Sequence, residues 1–514
     1  MSHERKHYAP REVAAVLRRH LLRKEPFSDP PATSGLNRWR VRLLIALILT
    51  LLIVVPMTVR EMVVPAAASE STEKAITLYD PNPPHIWNRL YDALLIREDP
   101  AGAKYGQDSL DPLLWMNSDH LLAQPSHQRA LRVLDEFLQK HAENQIRDPL
   151  KRAILQRDLW AVFDWSVLQE SLSEKPAYDQ EKRELQTRLA EVLRRLALTP
   201  EEIASLPANY GQAAASGTFP KEYDPAHPER AFLPPDLFDP SGPWVCINGN
   251  SYFGQAAAIE HLMTFSGRSR FLVFVRLPAG RKSTLEYLRT LWNFPQPWVQ
   301  SDPRGRADVN PDLPSFPAGT QVALLRQMTL FDNRGNLVDT PITESVQIRM
   351  YRTITPRGPN GPDMTSLAAL GERSGQTFYE IKLSRPQLFA NTAGGLITTR
   401  PDEIEFSTLR QEGDDLFEWW VMNRNRPPSP ASSEAALQQC AVCHFGGGIS
   451  SLNSRAYLLR PNGAQSDPNE AHPNSPQVTP RWWASDQDET IGWKQDRYDW
   501  GLLNGYWKSA NSVH

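Results

Sequence analysis

Val322-Ala323-Leu324-Leu325-Arg326-Gln327-Met328-Thr329-Leu330-Phe331, then Asp332-Asn333-Arg334-Gly335-Asn336, then Leu337-Val338, is the stretch on which the fold class turns. An apolar run, a cluster of turn formers and a return to apolar residues predict a β-hairpin. The same period of two continues outward. Val346, Ile348 and Met350 alternate with Gln347 and Arg349, and Tyr379, Ile381 and Leu383 alternate with Glu380 and Lys382. Upstream, Phe271 to Val275 is a continuous apolar run suited to a buried strand, and an amphipathic helix, Ser283 to Trp292, interrupts the strands. Residues 243–412 are therefore expected to form a mainly antiparallel β domain, with a small sandwich as the first architecture to test.

Before this region the period is helical. Ile86, Leu90 and Leu94 make one stripe; Leu131, Leu134 and Leu138 a second; Ile154, Leu155, Leu159, Val162 and Phe163 a third; Leu185, Leu189, Val192 and Leu196 a fourth. Asp148-Pro149 reads as N-cap and first helical residue, and Thr199-Pro200-Glu201-Glu202 as a capping box. Residues 80–205 are expected to be a helical domain. Residues 206–242, rich in Pro, Gly and Asp, read as a linker.

The charge is unevenly spread. Residues 1–42 hold ten Lys/Arg and four Asp/Glu, a local +6 that leaves −9 for the rest of a chain of net charge −3. The acidic bulk argues against a nucleic-acid partner. In the basic tail, Val13, Val16, Leu17 and Leu21 share one helical face. That fits a short amphipathic helix on anionic lipid, or else a disordered basic tail. Leu43 to Val59, LLIALILTLLIVVPMTV, carries no charge. With Arg38, Arg40 and Arg42 before it, it predicts one transmembrane signal anchor over 43–62 with the N-terminus cytoplasmic. The competing reading is a cleaved signal peptide ending at Ala66-Ala67-Ala68, for which the segment before the apolar run is too long. Residues 63–79 form a stalk, and both readings export everything that follows. With 44 prolines, many surface loops are expected.

The chain has three cysteines. Cys246 lies in the apolar run Trp244-Val245-Cys246-Ile247 and reads as a small buried side chain. The other two fall in Cys440-Ala441-Val442-Cys443-His444, which reads C-x-x-C-H. Two thiols at this spacing reach the two vinyl groups along one porphyrin edge, and the adjoining imidazole then lies under the iron. The alternatives are a pair of buried thiols beside a surface histidine, or a metal half-site. A zinc site needs further Cys or His nearby, and a redox C-x-x-C needs a βαβ context; neither is present. Over these five residues the chain resembles the c-type cytochromes. The resemblance implies one covalent haem c, with Cys440 and Cys443 as thioether attachments and His444 as proximal ligand. Haem attachment in that family takes place on the outer side of the energy-transducing membrane, in agreement with export.

Residues 413–514 are thus expected to be a small, largely α-helical haem c segment. Ser432 or Ser433 caps a helix that Gly446-Gly447-Gly448 stops. Trp482, Trp483, Trp493, Tyr498, Trp500, Tyr506 and Trp507 suit either porphyrin faces or packing of the tail onto the β domain. A single motif excludes a multihaem wire and departs from di-haem peroxidases. There is no Met after Met422, so the usual downstream methionine ligand is missing. The candidates for the sixth position are His472, an upstream Met such as Met422, or an open iron. Glu260-His261, in the run AAAIEHLMTF, reads as a helix-surface or core pair. No dinucleotide fingerprint, P-loop, H-E-x-x-H or nucleophile elbow occurs.

The expected whole is an α+β protein with a single N-terminal transmembrane helix. It sits in a bacterial inner membrane with its bulk periplasmic, and carries one haem for electron transfer with a redox partner protein. Two rivals stand beside it. One is a haem enzyme or ligand-binding protein with an open iron position, of unknown small-molecule substrate. The other is a partner-binding envelope protein in which haem is a minor relay.

Overall fold

In the computed structural model the hairpin is built around one side chain. Asp332 Oδ1 accepts hydrogen bonds from Arg334 N (2.9 Å) and Asn336 N (2.8 Å), and Gly335 takes the positive φ of +84° that the turn requires. The described residues are 76–98, 104–106, 120–168 except 124, 178–250, 261–292 except 263 and 264, 294–300 except 296 and 297, 307–354, 375–401, 437, 444, 448–452, 477–481 and 487–511.

The strands are β1 (Val245–Asn250), β2 (Ser269–Arg276), β3 (Gln321–Phe331), β4 (Leu337–Tyr351), β5 (Gln376–Leu383), β6 (Leu396–Thr398) and β7 (Gln477–Arg481). They form one antiparallel sheet in the order β6-β5-β4-β3-β2-β1-β7. The hairpin strands β3 and β4 lie near its centre. Among the described residues the other sheets are two-stranded ribbons, so this is one covered sheet rather than a two-sheet sandwich.

The helices are α1 (Ile86–Leu95), α2 (Ser126–Gln139), α3 (Pro149–Leu168), α4 (Asp179–Leu196), α5 (Pro200–Ala204), α6 (Asn209–Ala215), α7 (Arg281–Trp292), α8 (Ile449–Leu452), α9 (Gln487–Gln495) and α10 (Tyr498–Asn511), with a further turn at Arg385–Phe389. Local chemistry sets two of their starts. Asp148 Oδ1 accepts from Leu150 N (2.9 Å) where α3 begins at Pro149. At α5, Thr199 and Glu202 exchange both bonds of a capping box.

Period-two patterning assigns each strand residue to one of two apolar clusters. Leu272, Phe274, Ala323, Leu325, Val346 and Ile348 point to one face. That face is covered by α3 through Ala153 and Ile154 and by residues 206–242 through Phe232, Leu233 and Leu237, so the Pro-rich stretch is a packed cover. Cys246 is buried there. Phe271, Val273, Val275, Val322 and Tyr351 point to the other face, where Leu262, Leu288, Leu291, Leu313, Phe316 and Ile449 cover them.

Helix α3 is buried on all sides between the sheet and helices α1, α2 and α4, and its polar residues are buried with it. Each has partners. Asp158 accepts from Arg385 Nε (3.0 Å) and Nη2 (2.7 Å). Arg157 pairs with Glu344 at 3.1 Å, and Gln156 Nε2 donates to Phe331 O at 3.0 Å. Asp164 Oδ2 accepts from Arg268 Nη1 and Lys494 Nζ, both at 2.6 Å, and Lys494 Nζ also donates to Asp499 Oδ1 at 2.9 Å. Burial pushes the Asp164 carboxyl up and the Lys494 ammonium down.

The aromatic tail joins this assembly. Trp500 and Leu503 are buried in the helical cluster, Trp500 lies 5.9 Å from Trp160 by ring centroid, and Trp507 Nε1 donates to Ala190 O at 2.8 Å. Residues 76–514 accordingly form one compact unit.

The expected fold class needs correction at its N-terminus. No helix among the described residues is long and apolar enough to cross a membrane. The longest, α3, has 20 residues but carries Lys151, Arg152, Arg157, Asp158 and Asp164, which a lipid core does not accommodate. Leu43 to Val59 lies outside the described residues.

The Asp164 cluster sets a stability prediction. Asp164→Ala leaves two cations buried around a missing anion and should cost about 3–5 kcal/mol. Lys494→Met should cost less, because Asp164 keeps Arg268 and Asp499 keeps Arg497 at 2.6 Å. Urea unfolding of both variants measures the order, and equal costs would contradict it.

Candidate functional site

The site is built where β4 ends. Alternation sends Val346, Ile348 and Met350 to the α3 face and leaves Arg349 and Tyr351 on the other. Arg349 Nη1 donates to Tyr351 Oη (2.9 Å) and to Ser451 O (3.3 Å), and Tyr351 Oη shares a 2.5 Å hydrogen bond with Ser451 Oγ. Ser451 Oγ also donates to Gly448 O at 2.8 Å. The short helix α8 is thereby pinned to the end of the hairpin strand, with Ile449 buried in the apolar cluster beside Phe316 and Tyr351.

Gly448 makes this approach possible. It has φ +52°, and a β-carbon there would run into Ser315 Oγ, which accepts from Ile449 N at 3.2 Å.

The pinned Ser451 carbonyl in turn orients His444. His444 Nδ1 donates to Ser451 O at 2.8 Å, and the His444 carbonyl accepts from Gln376 Nε2, at the start of β5, at 3.0 Å. A carbonyl only accepts, so the Nδ1 proton is fixed and the neutral ring carries its lone pair on Nε2. A backbone carbonyl on one ring nitrogen is how proteins commonly hold a metal-ligating histidine by the other.

A second imidazole lies close by. His261 comes at the end of a helical turn, its carbonyl accepting from Phe265 N at 3.0 Å, and the adjoining Leu262 is buried in the same apolar cluster as Ile449. The His261 and His444 rings are nearly parallel, 10° apart, with centroids separated by 6.3 Å. The His261 ring is only partly shielded from solvent contact, yet enough protein surrounds it to dominate its titration. Desolvation, followed by the charges of Arg349 and Arg326, lowers its pKa to about 4. His261 is therefore neutral at pH 7, with a lone pair on one ring nitrogen.

Of the haem-binding residues expected from the sequence, His444 is the one placed here. Cys440, Cys443, Met422 and His472 lie outside the described residues; Leu437, three positions before Cys440 in sequence, is buried. His261, read from the sequence as a helix-surface or core residue, is partly buried with its ring beside that of His444. Nothing local in AAAIEHLMTF announces it, because its partner is supplied by a segment far downstream. Among the described residues no three or more His, Cys, Asp or Glu gather as a metal cluster. A haem iron asks less of the protein, one or two axial donors.

No protein-family model, curated protein or solved structure matches the chain.

Gly448→Ala tests the docking. The left-handed backbone and the collision with Ser315 should together cost about 1–3 kcal/mol, read as a lower urea midpoint. Adding Ser315→Gly should relieve the collision, so the double variant should be less destabilised than the sum of the singles.

Proposed function

We propose that this protein is an extracytoplasmic mono-haem c-type cytochrome that passes single electrons to or from a redox partner protein. Cys440 and Cys443 would hold the haem as thioethers, and His444 would be the proximal ligand. The observation that carries the proposal is the hydrogen bond from His444 Nδ1 to the Ser451 carbonyl, in a histidine that directly follows a C-x-x-C pair. An imidazole with its Nδ1 proton committed to a fixed carbonyl offers Nε2 as a donor in a defined direction.

The apolar cluster that includes Leu262 and Ile449 lies on the same side of the sheet as Tyr351, to which Ser451 and through it His444 are tied, and this setting supports the reading. Bound haem supplies one-electron exchange between ferric and ferrous iron. The chain's contribution would be to fix the imidazole through Ser451 and to place Arg326 and Arg349 near the histidine pair. Those two cations disfavour added positive charge, and so favour the reduced state.

Covalent attachment is the decisive test. Protein matured in cells competent for haem c attachment should give a haem-stained band at the chain's mass on a denaturing gel. Cys440→Ala combined with Cys443→Ala should abolish that band. Haem that extracts from the native protein into acidic organic solvent would overturn the proposal.

A further inference from the structure

We infer that His261 is the second axial ligand, binding the iron opposite His444; the inference rests on the haem reading above. The two rings stand 6.3 Å apart by centroid and 10° from parallel. Rings packed face against face would approach to about 3.5–4.0 Å. At the observed separation the rings are offset rather than overlaid, a spacing that offset-stacked rings also adopt. Two imidazoles on opposite sides of one metal have a fixed spacing. Two metal–nitrogen bonds of about 2.0 Å, each continued by about 1.1 Å to the ring centre, put the centroids roughly 6.2 Å apart. The observed distance also matches that of two ligands sharing one ion.

Each ring is held by structure that does not depend on the other. His444 is tied to Ser451 and, through it, to Arg349 and Tyr351 of β4. His261 is carried by the turn that leads into β2, fixed by Leu262 in the apolar cluster and by Gly267 N donating to Leu262 O at 3.0 Å. Gly267 has φ +69°, and a β-carbon there would meet the Trp493 ring at 2.9 Å, so this turn is packed tightly against α9. Two elements remote in sequence thus present imidazoles to one another at ligand spacing. Bis-histidine ligation closes the iron to exogenous ligands and sets the protein apart from gas-binding or peroxide-using haem proteins.

The test uses the full chain with covalent haem. Ferric wild type should be low-spin, and its electron paramagnetic resonance should be the rhombic signal of near-parallel axial imidazoles. His261→Ala should keep the haem-stained band but become high-spin, and added imidazole should return it to low-spin. His261→Met, which keeps a donor of similar reach, should remain low-spin and gain a sulfur-to-iron charge-transfer band. A His261→Ala protein with the wild-type low-spin spectrum overturns the assignment and leaves His472 or Met422 as the ligand. A high-spin wild type, or a haem-loaded His261→Met protein without the sulfur band, also overturns it. Absence of covalent haem from the wild type would instead remove the haem reading itself, and this inference with it.

Discussion

The Asp164 carboxylate, buried between Arg268 and Lys494, ties together three parts of the chain that otherwise share little sequence proximity. Asp164 belongs to α3, Arg268 leads into β2 and Lys494 comes from α9. Charges in such a place are tolerated only when paired, because each alone carries a desolvation cost of several kcal/mol. The cluster therefore acts as a condition on assembly. The helical layer, the sheet and the C-terminal helices must all be in position before the whole cluster is satisfied. Asp158 with Arg385, and Arg157 with Glu344, impose the same condition at other points along α3. A helix that is apolar on every side could slide or rotate against the sheet, whereas these pairs fix its register.

That register reaches the candidate site through the strands. Arg268 stands immediately before β2, and the turn carrying His261 stands immediately before Arg268. Lys494 is next to Trp493, which packs on Gly267 in the same turn. The ion cluster and the His261 turn are thus neighbours along one short segment, and the order of one constrains the other. On the other side, His444 is referred to β4 by way of Ser451, Arg349 and Tyr351. Since β4 pairs with β3 and β3 with β2, the two imidazoles are positioned from strands of one sheet. A sheet is a stiffer reference than the loops that carry the rings.

Local chemistry was legible in the sequence, and long-range chemistry was not. The turn at Asp332 to Asn336, the α3 start at Asp148-Pro149 and the capping box at Thr199 depend on residues within five positions of each other, so their patterns can be read directly. The period of two correctly divided Ile348 from Arg349. It could not say that helices, not a second sheet, would cover both faces, because that is decided by what α3 and residues 206–242 pack against. Nor could apolar periodicity reveal that Arg157, Asp158 and Asp164 are buried. Their partners Glu344, Arg385, Arg268 and Lys494 all lie more than a hundred positions away. The approach of His261 to His444 escaped for the same reason. The C-x-x-C-H pattern, by contrast, is local in sequence and is visible without any fold.

The electrostatics around the histidines have a direction. Arg349 and Arg326 both act on His261, and both oppose its protonation. Arg326 is partly compensated by Glu344 at 3.4 Å, while the guanidinium of Arg349 spends its Nη1 hydrogen bonds on a phenol, a carbonyl and a hydroxyl, none of them an anion. Arg349 is therefore the more effective positive charge at this position. It also holds the carbonyl that orients His444, so one side chain both positions a ring and biases the charge state beside it. Bis-imidazole ligation alone lowers a haem potential relative to imidazole–thioether ligation, and a buried cation next to the rings opposes that lowering. In a haem site with both, the potential would be a balance between them, and Arg349 would be the residue of β4 through which this fold adjusts it.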